Sequence, residues 1–208
     1  MKKLIQPIFG LAIAAMMIAC GGAEKKAEAT EVKEEMIEEE VVAKTMTINL
    51  DDSKVIWTGS IIGGYSHNGT LAISEGSIDM AGDDITGGSF TIDMSTITPT
   101  DSNYSEDHSS DMLIGHLSTG DFFLVDSFPT ATFVIKSSDL AAGTITGDLT
   151  VKGTTKEETI NEVSIDLASG VATGKLTFNR QDYDVTYVSS MKDMVLSDDI
   201  ELSISLKM

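Results

Sequence analysis

The stretch LIGHLSTGDFFLVDSFPTATFVI, residues 113–135, places three different structural signals in one short segment. Leu113 and Leu117 lie four residues apart, which puts both side chains on one face of a short helix. The aromatic pair Phe122-Phe123 follows a glycine, and Pro129 then excludes helix and precedes the alternating pattern of a strand. Few folds require a helix, a paired-aromatic turn and a strand in this order, so the segment is the strongest indication of fold class.

Outside this segment the chain shows the period-two pattern of half-buried antiparallel strands, and helical periodicity is nearly absent. About eight to ten short strands are indicated, a number that suits either a sandwich or a closed barrel. Glycines 59, 147 and 174 lie inside strand runs, where they permit the coiling that closure needs, and they favour the barrel. The cleanest runs are Phe90–Met94, Ile145–Val151, Ala172–Phe178 and Ile200–Leu206, and other strands are predicted to begin near Val55, Thr70, Ala131, Thr159 and Tyr183.

These patterns predict an all-β domain, a closed antiparallel barrel of about eight strands with one short helix. Closure removes exposed strand edges, and a barrel of this size can hold one small ligand, as lipocalins do. The oxygens of Ser109-Ser110-Asp111 can cap the start of the helix, and the helix is expected to end by Gly120. The barrel is expected to occupy residues 44–208.

The N-terminus has the pattern of an export signal. Lys2 and Lys3 precede an apolar run from Ile8 to Ala19 that is too short to cross a bilayer comfortably. Small or apolar residues lead to Cys20, as cleavage by a lipoprotein signal peptidase requires. Residues 1–19 are therefore interpreted as a lipoprotein signal peptide, with Cys20 as the lipidation site. An ordinary secretory signal followed by an incidental cysteine is the alternative.

Residues 20–43 are interpreted as the lipidated cysteine followed by a disordered tether, because this segment is rich in Glu, Lys and Ala and has no aromatic residue. Cys20 is the only cysteine, so no intramolecular disulfide can form, although the predicted compartment would allow one. The expected location is the periplasmic or outer-membrane face of the cell, with the membrane contacted through the lipid anchor.

The charge balance excludes nucleic acid as a partner. The whole chain has a formal net charge of −19. Residues 44–208 contain 25 acidic and 9 basic residues. Such a field repels polyanions and anionic lipid surfaces.

The chain resembles the YceI-like family of lipocalin-like, lipid-binding barrels over most of residues 44–208. The resemblance rests on a string of short motifs in a fixed order rather than on any single one. In the quoted stretch these are His116-Leu117, Ser118, Asp121-Phe122-Phe123 and the Pro-x-Ala-x-Phe motif at 129–133; elsewhere they are Trp57-Thr58-Gly59, His67-Asn68-Gly69, the run from Gly147 to Lys156, Asn179-Arg180 before Asp182-Tyr183, and the closing run from Asp198 to Leu202.

The resemblance implies a barrel with a long apolar cavity, which in some members encloses a polyisoprenoid chain such as a quinone tail. An isoprenoid tail gains about 25 cal/mol per Å² on leaving water and needs few polar anchors. Each candidate contact could equally be core filler, because inward strand residues usually are. The candidate ligand contacts, chosen because they lie on apolar faces or on the helix, are Trp57, Phe90, Ile92, Leu113, Leu117, Phe122, Phe123, Leu176 and Phe178.

Other polar residues are better explained by structural roles. The three histidines, His67, His108 and His116, have no metal-ligand spacing, and no metal site or cofactor is predicted. His116 is expected to lock the helix through a backbone carbonyl or to meet a ligand headgroup. Arg180 is expected to pair with an acid such as Asp182 or Asp199, and contact with a headgroup is the alternative.

Two functions remain open at this point. The favoured hypothesis is a membrane-anchored lipoprotein whose barrel binds or carries a long apolar lipid of the polyisoprenoid kind. The alternative is a structural or interaction lipoprotein with a barrel filled by its own side chains and an unspecified protein partner. No nucleophile, zinc-protease or phosphate-loop motif is present, so the chain is not expected to be an enzyme.

Overall fold

A computed structural model describes residues 42–189 and 194–208. The predicted signal peptide, Cys20 and nearly all of the predicted tether lie outside these residues. No helix in the described ranges is long and apolar enough to cross a bilayer. In chain order the elements are β1 (Ala43–Thr47), β2 (Asn49–Ile61), β3 (Ser66–Ala81), β4 (Asp84–Pro99), α1 (Ser110–Leu117), β5 (Thr130–Asp139), β6 (Thr144–Val151), β7 (Thr154–Asp166), β8 (Val171–Asn179) and β9 (Leu196–Lys207).

Eight of the strands form a closed antiparallel ring. From β2 to β9 each strand pairs with the next along the chain, and β9 pairs back with β2, which closes the barrel. The short β1 is not a ninth stave, because it pairs with the end of β3 that β2 leaves free. The prediction of a closed, all-β barrel of about eight strands with one short helix is confirmed.

Alternation along each strand places one set of side chains inside the ring. In β6 the inward residues at 145, 147, 149 and 151 are all buried, and in β8 those at 172, 174, 176 and 178 are buried as well. The outward positions between them are occupied by Thr, Asp and Lys. A side-chain period of two therefore converts the sequence pattern directly into an apolar interior and a polar exterior.

The helix begins and ends as its sequence predicts. Ser109 caps the N-terminus, and its hydroxyl accepts a hydrogen bond from the Met112 amide at 3.3 Å. Asp111 in the first turn suits the positive end of the helix dipole. Leu117 is the one fully buried residue of α1, so the helix is held to the barrel by a narrow apolar side.

The prediction that a strand begins near Tyr183 is wrong. Arg180–Tyr183 form a 3₁₀ turn that ends at Asp184, whose φ is +60°. Arg180 is buried there and donates to the carbonyls of Ser197, Val185 and Tyr187 at 2.6–3.1 Å. These bonds hold the chain in a bend that a strand could not follow. Buried and exposed side chains alternate in this segment because the bend packs against the barrel, and the segment is not part of a sheet.

The paired acid of Arg180 also differs from expectation. Its guanidinium donates to Asp198 at 2.9 Å, and not to Asp182 or Asp199. Asp198 lies at the start of β9, beside Ser197, whose carbonyl accepts from the same guanidinium. The predicted structural role is therefore right in kind, but the side chain reaches along β9 rather than to its near neighbours.

Gly147 has a steric role that its position in a strand does not reveal. A Cβ atom at this position would lie against the Val134 carbonyl and 2.6 Å from the Phe133 ring. The ring of Phe133, which is 1% exposed, therefore lies across the inner surface of β6 where only glycine fits. Gly59 differs, because a Cβ there would meet nothing within 4 Å.

Gly147→Ala is expected to lower the free energy of unfolding by about 1–3 kcal/mol, since the methyl group must displace backbone or the Phe133 ring. Gly59→Ala, the matched control, is expected to change it by less than about 0.5 kcal/mol. Urea denaturation followed by circular dichroism measures both. Equal effects at the two positions would contradict the steric role of Gly147.

Candidate functional site

The upper barrel, the half nearest α1, encloses an apolar cavity of about 130 Å³, here named the dry cavity. Its walls come from the inward faces of β2, β3, β4, β5, β6, β8 and β9. Leu113 and Leu117 of α1 close it from one side, together with Phe122 and Phe123. Among the wall residues that the structure describes, Arg180 alone carries a permanent charge, and its guanidinium is already bound to three carbonyls and to Asp198.

Most of the residues proposed from the sequence come together around this cavity. Seven of the nine line it: Trp57, Ile92, Leu113, Leu117, Phe122, Phe123 and Phe178. Phe90 instead borders a small void of about 30 Å³ in the other half of the barrel, here named the lower void. Leu176 is 2% exposed and borders neither space. Their role as ligand contacts stays a prediction.

Several wall residues were not singled out from the sequence. Val55, Leu71, Met94, Ala131 and Leu149 all line the dry cavity. Each lies on the inward face of a strand, so the period-two pattern identifies them as interior. It does not identify their height along the barrel axis, which depends on strand register and therefore on the folded chain.

A second cavity of about 470 Å³, here named the mouth cavity, adjoins the dry one. The two share Gly59, His67, Leu113, Phe122 and Leu196 in their walls. The mouth cavity reaches the surface, since the exposed side chains of Tyr65 and Met112 border it. Its other lining residues are mainly polar or aromatic and include Asn103, Tyr104, His108, Ser109, His116 and Tyr187. An apolar pocket thus opens into a polar vestibule.

A buried carboxylate organises the junction between the two cavities. Asp101 follows β4 and accepts from His67 Nδ1 at 3.1 Å, from the Asn68 and Asn103 amides at 3.0 and 2.8 Å, and from the Tyr104 hydroxyl at 2.8 Å. The His67 ring stacks on Tyr104 with centroids 5.0 Å apart, and Tyr65 meets its edge. The imidazole is therefore fixed in both position and tilt.

The same contacts set the charge of the cluster. Burial alone would raise the pKa of Asp101, but four hydrogen bonds outweigh it and lower the pKa to about 2. Burial and the neighbouring carboxylate raise the pKa of Tyr104, so its hydroxyl stays protonated. An ionised Asp101 requires a proton on His67 Nδ1. Among the described residues no group bonds to Nε2 of this ring.

Trp57, whose side chain lines the dry cavity, carries a buried unpaired polar atom. Its side chain is 8% exposed, and its indole N–H is the one buried side-chain nitrogen or oxygen without a hydrogen-bond partner in the described part of the chain. Leaving such a donor unpaired costs about 1–3 kcal/mol. Gly69 lies beside the ring, where a Cβ would approach the indole Cζ2 to 2.7 Å.

The covering segments are tied together by Lys152. This residue has a φ of +48° in the β6–β7 turn, and its ammonium donates to the Gly120 carbonyl at 3.0 Å and the Asp184 carbonyl at 2.7 Å. One bond holds the turn after α1, and the other holds the bend after the 3₁₀ turn. Sequence reasoning noted Lys152 only as part of a motif, because nothing in the chain indicates which carbonyls it reaches.

Aromatic contacts, rather than the expected bond to a backbone carbonyl, hold His116 in place, and its contact with a headgroup stays a prediction. Its ring packs edge-to-face against Phe122 at 4.9 Å and against Tyr187 at 4.7 Å, and Nε2 lies 3.9 Å from the exposed Asp121 carboxylate. These ring contacts join α1 to the segment before β9, so aromatic packing rather than a carbonyl bond supports the cover. His67 and His108 border the mouth cavity with His116, but no group of three His, Cys, Asp or Glu in the described ranges is placed to hold a metal.

The depressed pKa of Asp101 makes the stability of the junction depend on pH. The ionised form is favoured in the folded state, so its contribution is present above the unfolded pKa near 4 and is lost as pH falls through about 2. We expect the wild type to exceed Asp101→Asn in unfolding free energy by about 2 kcal/mol at neutral pH, and this excess to shrink between pH 4 and pH 2.

Chemical denaturation of both proteins across this range measures the difference. Asp126→Asn, which alters an exposed carboxylate, serves as the control and should leave the pH dependence unchanged. A pH-independent difference between wild type and Asp101→Asn would contradict the assignment.

Known proteins share sequence motifs and fold with this chain. The family model described as "YceI-like domain" matches residues 46–208. A UPF0312 protein of Staphylococcus aureus strain USA300 is 50% identical over 46 residues, 22% of this chain and 26% of that protein. A UPF0312 protein of the bovine strain RF122 is 41% identical over 66 residues, 32% of this chain and 35% of that protein. The chain thus spans about a quarter to a third of the length of these curated relatives.

One solved structure, that of BcnA, shares the fold, and a second shows a weaker similarity. BcnA of Burkholderia cenocepacia superimposes with a TM-score of 0.56 at 20% identity, over 76% of this chain and 98% of that one. A polyisoprenoid binding domain from Saccharophagus degradans gives 0.48 at 13% identity, over 77% and 95% of the two chains. The family match covers most of the chain and nearly all of the barrel, and the chain therefore belongs to the YceI-like domain family.

Proposed function

We propose that this protein is a membrane-anchored lipoprotein whose barrel binds or carries an apolar lipid of the polyisoprenoid kind. The observation that carries the proposal is the dry cavity under α1, which is walled almost wholly by hydrocarbon and opens into a polar mouth. A barrel whose role is only structural gains stability by filling such a space, since interior voids forfeit packing contacts.

The chemistry of the wall favours a hydrocarbon chain without charge. Transfer of such a chain from water gains about 25 cal/mol per Å² of buried surface. A charged or strongly polar ligand would leave most of its hydrogen bonds unmade, because Arg180 and the Nδ1 atom of His67 are already bonded within the protein and most of the remaining wall is hydrocarbon. A branched, flexible isoprenoid tail fits walls that combine Met94, aromatic rings and branched aliphatic side chains.

The polar groups near the mouth favour a ligand whose tail carries a small uncharged headgroup. With Nδ1 bonded to Asp101, the other nitrogen of His67 can accept a hydrogen bond from a hydroxyl group. Trp57 lines the dry cavity and not the mouth, so its unpaired indole N–H is a donor only for a hydroxyl, ether or carbonyl oxygen that enters past the mouth. A prenyl alcohol or quinol supplies both kinds of group, while the acidic surface of the protein disfavours prenyl phosphates.

A binding role fits these residues better than catalysis does. The His67–Asp101 pair has the form of a base and its orienting carboxylate, but the hydrogen bonds that the described residues make to this pair come from Asn68, Asn103 and Tyr104, none of which is an activated serine or cysteine. Tyr104, the remaining hydroxyl of the cluster, is committed as a donor to Asp101. We therefore assign the cluster to headgroup recognition.

The anchor is the second part of the proposal. Lipidation of Cys20 would hold the barrel at a membrane through acyl chains worth about 0.8 kcal/mol per buried methylene. The segment up to residue 43 would give the barrel reach from the bilayer, at the periplasmic or outer-membrane face. A carrier at that position can exchange an apolar molecule with the adjacent lipid.

Trp57→Asp and Phe122→Asp are each expected to lower retained lipid by at least about tenfold, because a carboxylate in the dry cavity is strongly disfavoured beside hydrocarbon. The measurement is solvent extraction of the purified full chain followed by mass spectrometry, with circular dichroism to verify strand content. Leu167→Asp, at a half-exposed turn residue outside the cavities, is the control. Undiminished lipid in folded cavity variants would contradict the proposal.

Cys20→Ser is expected to move the protein from the membrane fraction to the soluble fraction, since a serine cannot form the thioether that carries the acyl chains. Cell fractionation and labelling with a radioactive fatty acid measure this change, and a Thr30→Ser chain is the control. Membrane retention of the serine variant would show that something other than lipidation holds the protein there.

A further inference from the structure

The interior of the barrel is divided by a layer of large side chains. On β5 the inward residues Ala131, Phe133 and Ile135 follow one another at intervals of two. Ala131 lines the dry cavity, Ile135 borders the lower void, and Phe133 borders neither. On β8 Phe178 lines the dry cavity and Gly174 borders the lower void. Leu176, which lies between them, borders neither.

Two phenylalanine rings form the centre of this layer. Phe90 and Phe133 are directly paired across β4 and β5, and their rings stack with centroids 5.5 Å apart. They are 4% and 1% exposed. On the far side, Gly147 has no side chain, so the Phe133 ring lies against the inner face of β6. Aromatic rings therefore reach from β4 to β6.

Below the rings the barrel is filled. The lower void, bordered by Ile78, Ile85, Ile145, Ile160 and Ile204 among others, measures about 30 Å³. That volume holds about one water molecule. The packing around Gly174 is tight, because a Cβ at this position would lie 2.5 Å from Ile160 Cγ2. No apolar chain can enter this half without moving side chains of the core.

Above the rings the available length is short. Along β2 the dry cavity extends from Val55 to Gly59, about 13 Å at the usual rise of a strand, and β2 itself has 13 residues. A chain entering from the mouth meets the rings well before the far end of the barrel. Additional isoprene units would stay in the mouth or in water, where they gain no burial.

We propose that the stacked rings of Phe90 and Phe133 are the floor of the binding site and select a short prenyl chain over one that would run the length of the barrel. This inference rests on the proposed function and narrows its ligand. It identifies two specificity-determining residues that lie below the walls of the dry cavity: Phe90 borders the lower void, and Phe133 borders none of the three cavities. The ligand class is an uncharged prenyl compound with few isoprene units and its polar end at His67.

The test compares geraniol, farnesol, geranylgeraniol and octaprenol, each delivered from cyclodextrin to the full chain carrying Cys20→Ser so that no detergent competes. Trp57 is the only tryptophan and lines the dry cavity, so its fluorescence reports occupancy directly. In the unaltered barrel we expect octaprenol to bind at least about tenfold more weakly than farnesol. Phe133→Ala and Phe90→Leu should remove most of that preference.

Two further variants make the result specific to the floor. Ala131→Leu adds bulk above the rings and should weaken farnesol relative to geraniol by about tenfold. Phe128→Leu alters a partly buried phenylalanine that packs against Gly153, away from all three cavities, and should keep the chain-length preference of the unaltered barrel. If Phe133→Ala does not fold, Phe90→Leu and Ala131→Leu decide the question.

The outcomes separate the two proposals. If the unaltered barrel binds octaprenol as tightly as farnesol, or if folded floor variants keep its preference, the floor is overturned and the lipid-binding function stands. If none of the four alcohols changes Trp57 fluorescence in any variant, the proposed function fails and the floor proposal fails with it. A preference lost in both floor variants and kept in Phe128→Leu supports the floor.

Discussion

Pairing between β2 and β9 is the interaction on which the rest of the structure depends, because it joins the two ends of the barrel sequence and closes the ring. Val55 lies opposite Ile204 and Trp57 opposite Leu202 along this seam. Buried Ser53 accepts a hydrogen bond from the Lys207 amide at 2.8 Å across it. Without the seam, the same strands would form an open sheet with two exposed edges and one apolar face in water. Closure turns that face into an enclosed volume.

What the enclosed volume can do depends on how its two halves are occupied. Strand alternation supplies apolar side chains at every level, and only their sizes differ. Below the Phe90–Phe133 pair, isoleucines from most strands meet and leave almost no space. Above it, Gly59, Ala131 and the distance to the covering helix leave a cavity. Half of the interior thus contributes packing stability, and the other half is kept open at a cost in packing.

Hydrogen bonds to charged side chains hold the segments around the polar mouth. Asp101, which follows β4, is bonded to the start of β3 through His67 and Asn68 and to its own loop through Asn103 and Tyr104. Lys152 and Arg180 hold the covering segments through backbone carbonyls. Each of these charged groups is satisfied by the protein, so none of them needs a ligand for stability. Nε2 of His67 and the indole N–H of Trp57 have no hydrogen-bond partner among the described residues, and both side chains line a cavity.

The limits of sequence reasoning can be seen in particular residues. Ser109 and Leu117 mark the helix correctly because capping and i, i+4 spacing are local effects. Tyr183 was misassigned to a strand because the bend that contains it is imposed by Arg180, which reaches carbonyls up to 17 residues away. His67 enters the sequence analysis as a motif residue and a rejected metal ligand, without its partner, since Asp101 lies 34 residues further along. The period-two pattern correctly predicts that Phe90 and Leu176 lie in the barrel interior, but it does not predict that both lie below the dry cavity.

The sequence by itself determined the all-β class, the single helix, the inward or outward direction of most strand residues and membership of the motif-defined family, because these follow from local preferences and a period of two. Only the tertiary structure decided which inward residues share a level of the barrel, which of those levels are filled, and which polar atoms remain unpaired at the mouth. Those properties arise from strand register and from contacts between residues far apart in the chain, which no local pattern records.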